Sequence, residues 1–217
     1  MTTEHEQGSE AGNASESTAP PAGVETTEDG LVFRRPMPSS GIRRWRLVKD
    51  SGVLDENSPY FYVLYCEHHP DTCVVVERAS EEDSDQGRQG GRGTPLLGFT
   101  LGHCPPARPD TVFVWQIGVS ELARRRGLGR RMLAYVVDAH RERGGSYLEA
   151  TVTPGNRPSR GLFSSFAERR GVPCEITPLF AAELFDDGDH EGHEAEDLFR
   201  IGPFEGSGCV RRGDSTK

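Results

Sequence analysis

One stretch limits the folds open to this chain more than any other: Thr111–Ala139, TVFVWQIGVSELARRRGLGRRMLAYVVDA. Thr111–Val119 is dense in β-branched and aromatic residues, which predicts a strand. Beyond Arg124-Arg125-Arg126-Gly127-Leu128-Gly129, the apolar residues Met132, Leu133, Val136 and Val137 recur at helical spacing. A strand therefore runs into a glycine turn that opens a helix. Such a turn aims unpaired backbone N–H groups and the positive helix end at one point, which suits a phosphate. Gly127 and Gly129 supply positive φ, or close approach where a Cβ would block a pyrophosphate. An ordinary strand–turn–helix with a solvated basic turn is the competing reading. A Rossmann site fits poorly, because G-x-G lacks the third glycine and no βαβ repeat follows. A Walker loop is excluded, since G-x-x-x-x-G-K-[ST] occurs nowhere in the chain.

Charge narrows the choice of ligand. The formal charge is −9, and residues 1–30 hold seven acidic residues with no Lys or Arg. Without that stretch the remainder carries only −2. A near-neutral folded part gives no general nucleic-acid surface. Arg124, Arg125, Arg126, Arg130 and Arg131 form one local basic cluster, sized for a phosphorylated cofactor. Mean hydropathy is −0.59, low enough to require polar, unfolded stretches. We therefore expect residues 1–30 to be a disordered acidic tail, 31–204 a folded domain, and 205–217 a frayed end. Residues 80–94 (SEEDSDQGRQGGRGT) read as a flexible hairpin insertion between two strands. The tail has neither a basic n-region nor an apolar h-region, so a signal peptide is not expected. No apolar run approaches the ~20 residues of a membrane helix. The five scattered cysteines, without C-x-x-C pairing, favour a reducing cytoplasm.

In chain order, Leu31–Pro36 reads as a strand and Gly41–Lys49 as a helix capped by Ser39 or Ser40, with Ile42, Trp45 and Val48 on one face. Ser58-Pro59 starts a second helix, to about His68, with Tyr60, Val63, Leu64 and Glu67 setting its period. Strands follow at Thr72–Glu77, Leu96–Gly102 and Thr111–Val119. The central helix ends at Gly144-Gly145, a left-handed cap. Tyr147–Val152 is a strand, a helix follows to Arg169, and Cys174–Thr177 and Leu198–Phe204 are closing strands. Between them lie a helical turn in Leu179–Phe185 and an acidic loop, Asp186–Asp197. The order β-α-α-β-β-β-α-β-α-β-β predicts a mixed α/β sheet of six to seven strands with helices on both faces.

R-x-x-G-x-G after a strand resembles the acyl-CoA signature of the GNAT acetyltransferases, and the element order is that of a GNAT fold. Four stretches resemble one branch of that family, the diaminobutyrate acetyltransferases of the ectoine pathway: LDENSPYFYVLYCEHHPDT, DTVFVWQIGVS, YLEATVTPGNRPSRGLF, and the closing PLF…HE…EDLFRIGPF. The likeness spans roughly residues 31–204. It implies acetyl transfer from acetyl-CoA to the 4-amino group of L-2,4-diaminobutyrate, a small-molecule diamine, by a homodimeric enzyme without a metal.

It also implies site residues. The amides of Arg126, Gly127, Leu128, Gly129 and Arg130 would hold the pyrophosphate, with Arg124 and Arg125 adding charge. The strand edge from Trp115 through Ile117 to Val119 would pair with the pantetheine arm, and an N–H near Val119 would hold the oxyanion. Asn156 would contact the CoA arm, or serve only as a turn or cap residue. Phe163 stands where many GNAT enzymes place a tyrosine acid. A dicationic substrate needs carboxylates, and Asp55 and Glu194 are the first choices as catalytic and substrate-binding groups. One should bind the 2-amino group, while the other or an ordered water takes the 4-amino proton. Trp115 would wall the pocket, and Asn57, Ser58 and Tyr60 are further candidates for the substrate's polar groups. Plainer roles compete: a helix cap for Asp55, core packing for Trp115, a solvated loop for Glu194. His190, Glu191, His193 and Glu194 cluster, but H-E-x-H is not the spacing of a helical zinc pair. Rival functions are a GNAT enzyme for another amine and a non-catalytic acyl-CoA-binding module.

Overall fold

The structure, a computed structural model, describes residues 24–79, 95–185 and 193–204. Its elements are β1 (Val24–Thr26), β2 (Leu31–Arg34), α1 (Gly41–Ser51), α2 (Pro59–His68), β3 (Val74–Arg78), β4 (Gly98–His103), β5 (Thr111–Val119), α3 (Leu128–Arg141), β6 (Tyr147–Val152), α4 (Arg157–Arg170), β7 (Cys174–Phe180) and β8 (Glu196–Ile201). The strands form one sheet in the order β1-β2-β3-β4-β5-β6-β8-β7. The expected six to seven strands are thus eight. The addition is β1, inside the stretch expected to be tail. Val24–Thr26 pairs antiparallel with Val32–Arg34 across a turn in which Gly30 takes a φ of 70°. Its composition hid it, because an exposed edge strand buries too little to need an apolar sequence. The 80–94 insertion and most of the acidic loop lie outside the described residues, as do residues 1–23 and 205–217.

The central strand runs from Thr111 to Val119 as its β-rich sequence predicts. Strand alternation divides the core in two. Val74, Val76, Val112, Val114, Leu148 and Phe199 face α3 and α4, whose Met132, Leu133, Val136, Val137, Phe163 and Phe166 are buried against them. Val75, Phe99 and Leu101 face the other way, under Val48 of α1 and Tyr62 of α2. Each large side chain so buried contributes about 1.5–3 kcal/mol. Helices therefore cover both faces.

The two early helices are rotated from the expected faces. In α1 the buried side is Gly41, Arg44 and Val48, while Ile42 is 38% exposed. A Cβ on Gly41 would stand 2.7 Å from the Val63 backbone, so close α1–α2 packing turns that side inward. In α2 the buried pair is Tyr62 and Cys66, and Tyr60 is 70% exposed. Ser58 does cap α2, its hydroxyl accepting the Phe61 N–H at 3.3 Å, with Pro59 in the first turn. Ser40 precedes α1 without a side-chain cap bond, because a 3-10 turn at Pro38–Ser40 leads in instead.

Two features open a site in this frame. The parallel pairing of β5 with β6 covers only Thr111–Phe113 against Tyr147–Glu149. In the β4–β5 ladder, Leu101 faces Gln116 and Gly102 faces Val114, so Trp115 is the extra residue of a bulge. A bulge bends its strand and re-aims its side chains. From Val114 onward the edge of β5 diverges from β6, leaving a slot between them.

Candidate active site

At the C-terminal end of β5 the chain makes a short 3-10 turn at Glu121–Ala123 and then enters the glycine turn. Two residues there are left-handed, Arg125 at φ 63° and Gly127 at φ 69°. Non-glycine residues rarely adopt that region, and such strain gathers at binding sites. Gly127 caps α3 without any side chain, so the first amides of the helix stay unpaired and point out of its end. Leu128 is buried while Arg124, Arg125 and Arg126 are exposed. Two of the basic residues have partners: Arg124 meets Glu121 at 3.2 Å, and Arg131 grips Asp29 of the β1–β2 turn at 2.9 Å. That grip holds the Asp29 carboxyl down to about 2. Gly129 also has a packing role. A Cβ there would stand 3.3 Å from Leu162 and 3.8 Å from Ile117, so this glycine lets α3 sit close against α4 and β5.

Along the open edge of β5, Ile117 and Val119 are half-buried and pack on the α3–α4 core, which leaves their backbone to line the slot. Trp115 is not core: it is 53% exposed, and its ring lies 6.2 Å from that of Phe61 on α2. Next to it, Gln116 is buried among apolar neighbours and uses both ends of its amide. Nε2 donates to the Asp55 carbonyl at 2.9 Å, and Oε1 accepts the Tyr62 hydroxyl at 3.2 Å. The Tyr62 oxygen in turn accepts the Asn57 N–H at 3.4 Å. The Asp55–Asn57 loop is thereby tied to β5 beside Trp115, with the Asp55 and Tyr60 side chains exposed.

The last strand supplies the opposite wall. Thr151 of β6 pairs with Leu198 of β8, two residues from Glu196. The Glu194 carboxylate accepts the Gly155 N–H at 3.1 Å, which fixes it at the β6–α4 turn. Glu196 is the less solvated group, with one buried oxygen that has no hydrogen-bond partner. Burial pushes its carboxyl above the usual range, and the charges of Asp55 and Asp197 add to this. His193, whose Nε2 lies 3.7 Å away, and a hydrogen bond from Thr151 act against the shift. The charge of Asp55 is among those that act on the Glu196 carboxyl. Sequence reasoning stopped at Glu194 and missed Glu196, although the alternation Glu196, Leu198, Arg200 against buried Phe199 and Ile201 marks the face it shares.

Asn156 caps α4, its Oδ1 accepting the Ser159 N–H at 3.1 Å, the structural role weighed for it. Phe163 is 3% exposed and packs on Phe199, so it belongs to the core. Of the acidic loop, His190 and Glu191 lie outside the described residues. His193 stacks on Phe185 at 4.4 Å, and among the described residues no three ligating side chains gather. No described helix is long and apolar enough to cross a membrane.

A splayed parallel pair, a bulged strand and an anion-binding helix start are the architecture of an acyl-CoA transferase. Residues 42–167 match the model of the Acetyltransferase (GNAT) family. Curated relatives narrow the class. An L-2,4-diaminobutyric acid acetyltransferase of Marinococcus halophilus is 39% identical over 84% of this chain and 95% of its own. One of Streptomyces coelicolor is 41% identical over 82% and 96%. A solved structure of the diaminobutyrate acetyltransferase EctA from Paenibacillus lautus, in complex with L-2,4-diaminobutyric acid and coenzyme A, superposes with a TM-score of 0.69 at 37% identity, covering 81% of this chain and 96% of that one. The chain belongs to the GNAT family and, within it, to the L-2,4-diaminobutyric acid acetyltransferases.

Proposed function

We propose that this protein transfers the acetyl group of acetyl-CoA to the 4-amino group of L-2,4-diaminobutyrate, the acetylation step of ectoine synthesis. The observation that supports the reading is an uncapped glycine turn at the end of β5, beside the slot where β5 leaves β6, together with the buried, unpartnered carboxylate oxygen of Glu196. CoA would lie with its pyrophosphate on the amides of residues 126–130 and its pantetheine arm along Ile117–Val119, past Asn156. A Val119 amide would hold the thioester oxygen as it becomes an oxyanion.

The acceptor sets the chemistry. An alkylamine of pKa ~10.4 is protonated at pH 7, and freeing its lone pair costs about 4–5 kcal/mol. A carboxylate of raised pKa accepts that proton better than an ordinary one. We assign this role to Glu196, whose burial weakens its hold on the ionised state, rather than to Glu194, whose carboxylate is engaged by Gly155. Asp55 then binds the 2-ammonium group, which fixes the 4-amino end toward the thioester. Asn57 and Ser58 line the same loop, and Trp115 walls the pocket. Glu196 takes the ammonium proton, which frees the lone pair, and releases it to solvent; the amine nitrogen attacks the carbonyl carbon, the C–S bond breaks, and the second nitrogen proton is lost through solvent as the thiolate leaves. With a thiol pKa of ~8.5, solvent can protonate it, so a phenylalanine at 163 is no obstacle.

We place the enzyme in the cytoplasm as a homodimer. Cys66, Cys73, Cys104 and Cys174 are free thiols, in keeping with a reducing compartment. Ile176, Leu179, Phe180 and Leu184, on and beside the edge strand β7, expose 42–69% of their surface, which a second copy would cover. The activity is tested by following thiol release from acetyl-CoA across a panel of amines. Diaminobutyrate should support turnover far above ornithine, lysine, spermidine and a peptide N-terminus. Faster release with any of these, or none with diaminobutyrate, overturns the assignment.

A further inference from the structure

We infer that Gln116 is a positioning residue that sets acceptor specificity, by clamping the Asp55 loop to the bulged strand. The inference rests on the proposed acceptor site and adds to it what holds that site in place. Gln116 follows the extra residue of the bulge, so the strand alternation is reset there. Without the bulge, Trp115 and Gln116 would point to opposite faces. With it, Trp115 reaches Phe61 of α2 while Gln116 reaches Tyr62 of the same helix. Both therefore reach α2 from neighbouring positions.

The clamp is closed at every polar atom it uses. Gln116 donates to the Asp55 carbonyl, accepts from Tyr62, and through Tyr62 holds the Asn57 N–H. Gln116 is 8% exposed and Tyr62 is wholly buried. Buried polar groups of this kind are costly to leave unpaired, so the arrangement has one well-defined geometry. The loop has an apolar anchor beside it in Leu54, which packs on the Phe99 cluster and against Gly118 of β5. Trp45 Nε1 meets Glu56 at 2.8 Å, an exposed contact, and the Asp55 side chain itself is exposed. Gln116 supplies the polar tie that sets the distance from Asp55 to Trp115. That distance measures the acceptor: it selects the chain length between the group Asp55 binds and the nitrogen that reaches the thioester. Tyr62 and Asn57 lie outside the phosphate turn and β5, and Gln116, on β5 between Trp115 and Ile117, takes part in the clamp through its side-chain amide.

The test is a comparison of wild-type, Gln116→Leu and Tyr62→Phe enzymes with both substrates varied. Gln116→Leu should raise KM for diaminobutyrate at least tenfold, leave KM for acetyl-CoA within twofold, and lower the preference for diaminobutyrate over ornithine. Tyr62→Phe should move the same values in the same direction by less. Gln116→Glu retains the acceptor for Tyr62 but loses the donor to Asp55, and should not restore wild-type KM. If the two KM values rise together, or neither moves, the clamp is a structural contact only and the inference is wrong. Should Gln116→Leu fail to fold, Tyr62→Phe decides by the same criterion. Hydrogen exchange separates this from the activity reading. The Asn57 amide should exchange faster in both variants even if the wild-type enzyme prefers another amine, and unchanged exchange rules the clamp out.

Discussion

In the proposed mechanism Glu196 bears the heaviest chemical demand, because it would take a proton from an amine that holds it tightly. Glu196→Gln should lower kcat by 10²–10⁴-fold, the range for loss of a general base, with acetyl-CoA binding intact by calorimetry. The acid limb of the wild-type kcat/KM profile should lie above the ordinary glutamate value of ~4.3 and vanish in the variant. Stability should respond in the opposite sense. A carboxyl whose pKa is higher folded than unfolded binds more protons in the native state, so its ionisation lowers stability as pH rises through that window. Glu196→Gln should therefore keep or raise Tm at pH 7.5 while activity is lost, the trade expected of a catalytic group. A fall in Tm would mean that Glu196 is a structural partner. Little of this was legible in the sequence. Residues 186–197 showed that an acidic segment exists, but which carboxylate loses water depends on β6 and α2, which are distant in the chain. The start of α2 just after Asp55 was legible, since Ser58 and Pro59 form a cap-and-proline helix start.

At the level of elements, the phosphate turn and the early helices behave differently. The turn was readable because glycine spacing reports backbone conformation directly. Gly127→Ala forces a Cβ into a left-handed residue, at roughly 1–2 kcal/mol, and should raise KM for acetyl-CoA with KM for diaminobutyrate unchanged. The same substitution at Gly129 meets Leu162 and should act chiefly on Tm. The faces of α1 and α2 were not readable, because their inward sides carry glycine, arginine and tyrosine rather than an aliphatic stripe. Arg44 is fully buried, 5.8 Å from the Phe99 ring, a position periodicity cannot anticipate. Nearby, Glu77 accepts from Arg34 and Arg43, each at 2.6 Å. Glu77→Ala would leave the buried Arg34 uncompensated, and the cost should be about 3–5 kcal/mol by urea denaturation.

For the molecule as a whole, the alternation of strands and helices conveyed the layered sheet, since each element's period reports which side it buries. It did not convey β1 or the length of β7, because both are edges with little apolar burial to pattern them. The apolar side of β7 is where a partner copy would sit. Light scattering should give twice the chain mass, and Leu179→Glu should shift the protein toward monomer. A monomeric wild type would refute the dimer without touching the chemistry.

The central claim is that Asp55 holds the 2-ammonium group so that only the 4-amino group meets the thioester. Acetyl-CoA labelled with carbon-13 in the acetyl group, incubated with diaminobutyrate and followed by NMR, reads this directly. The account predicts a single product acetylated on the 4-nitrogen. A 2-acetylated product, or a mixture of the two, would contradict it.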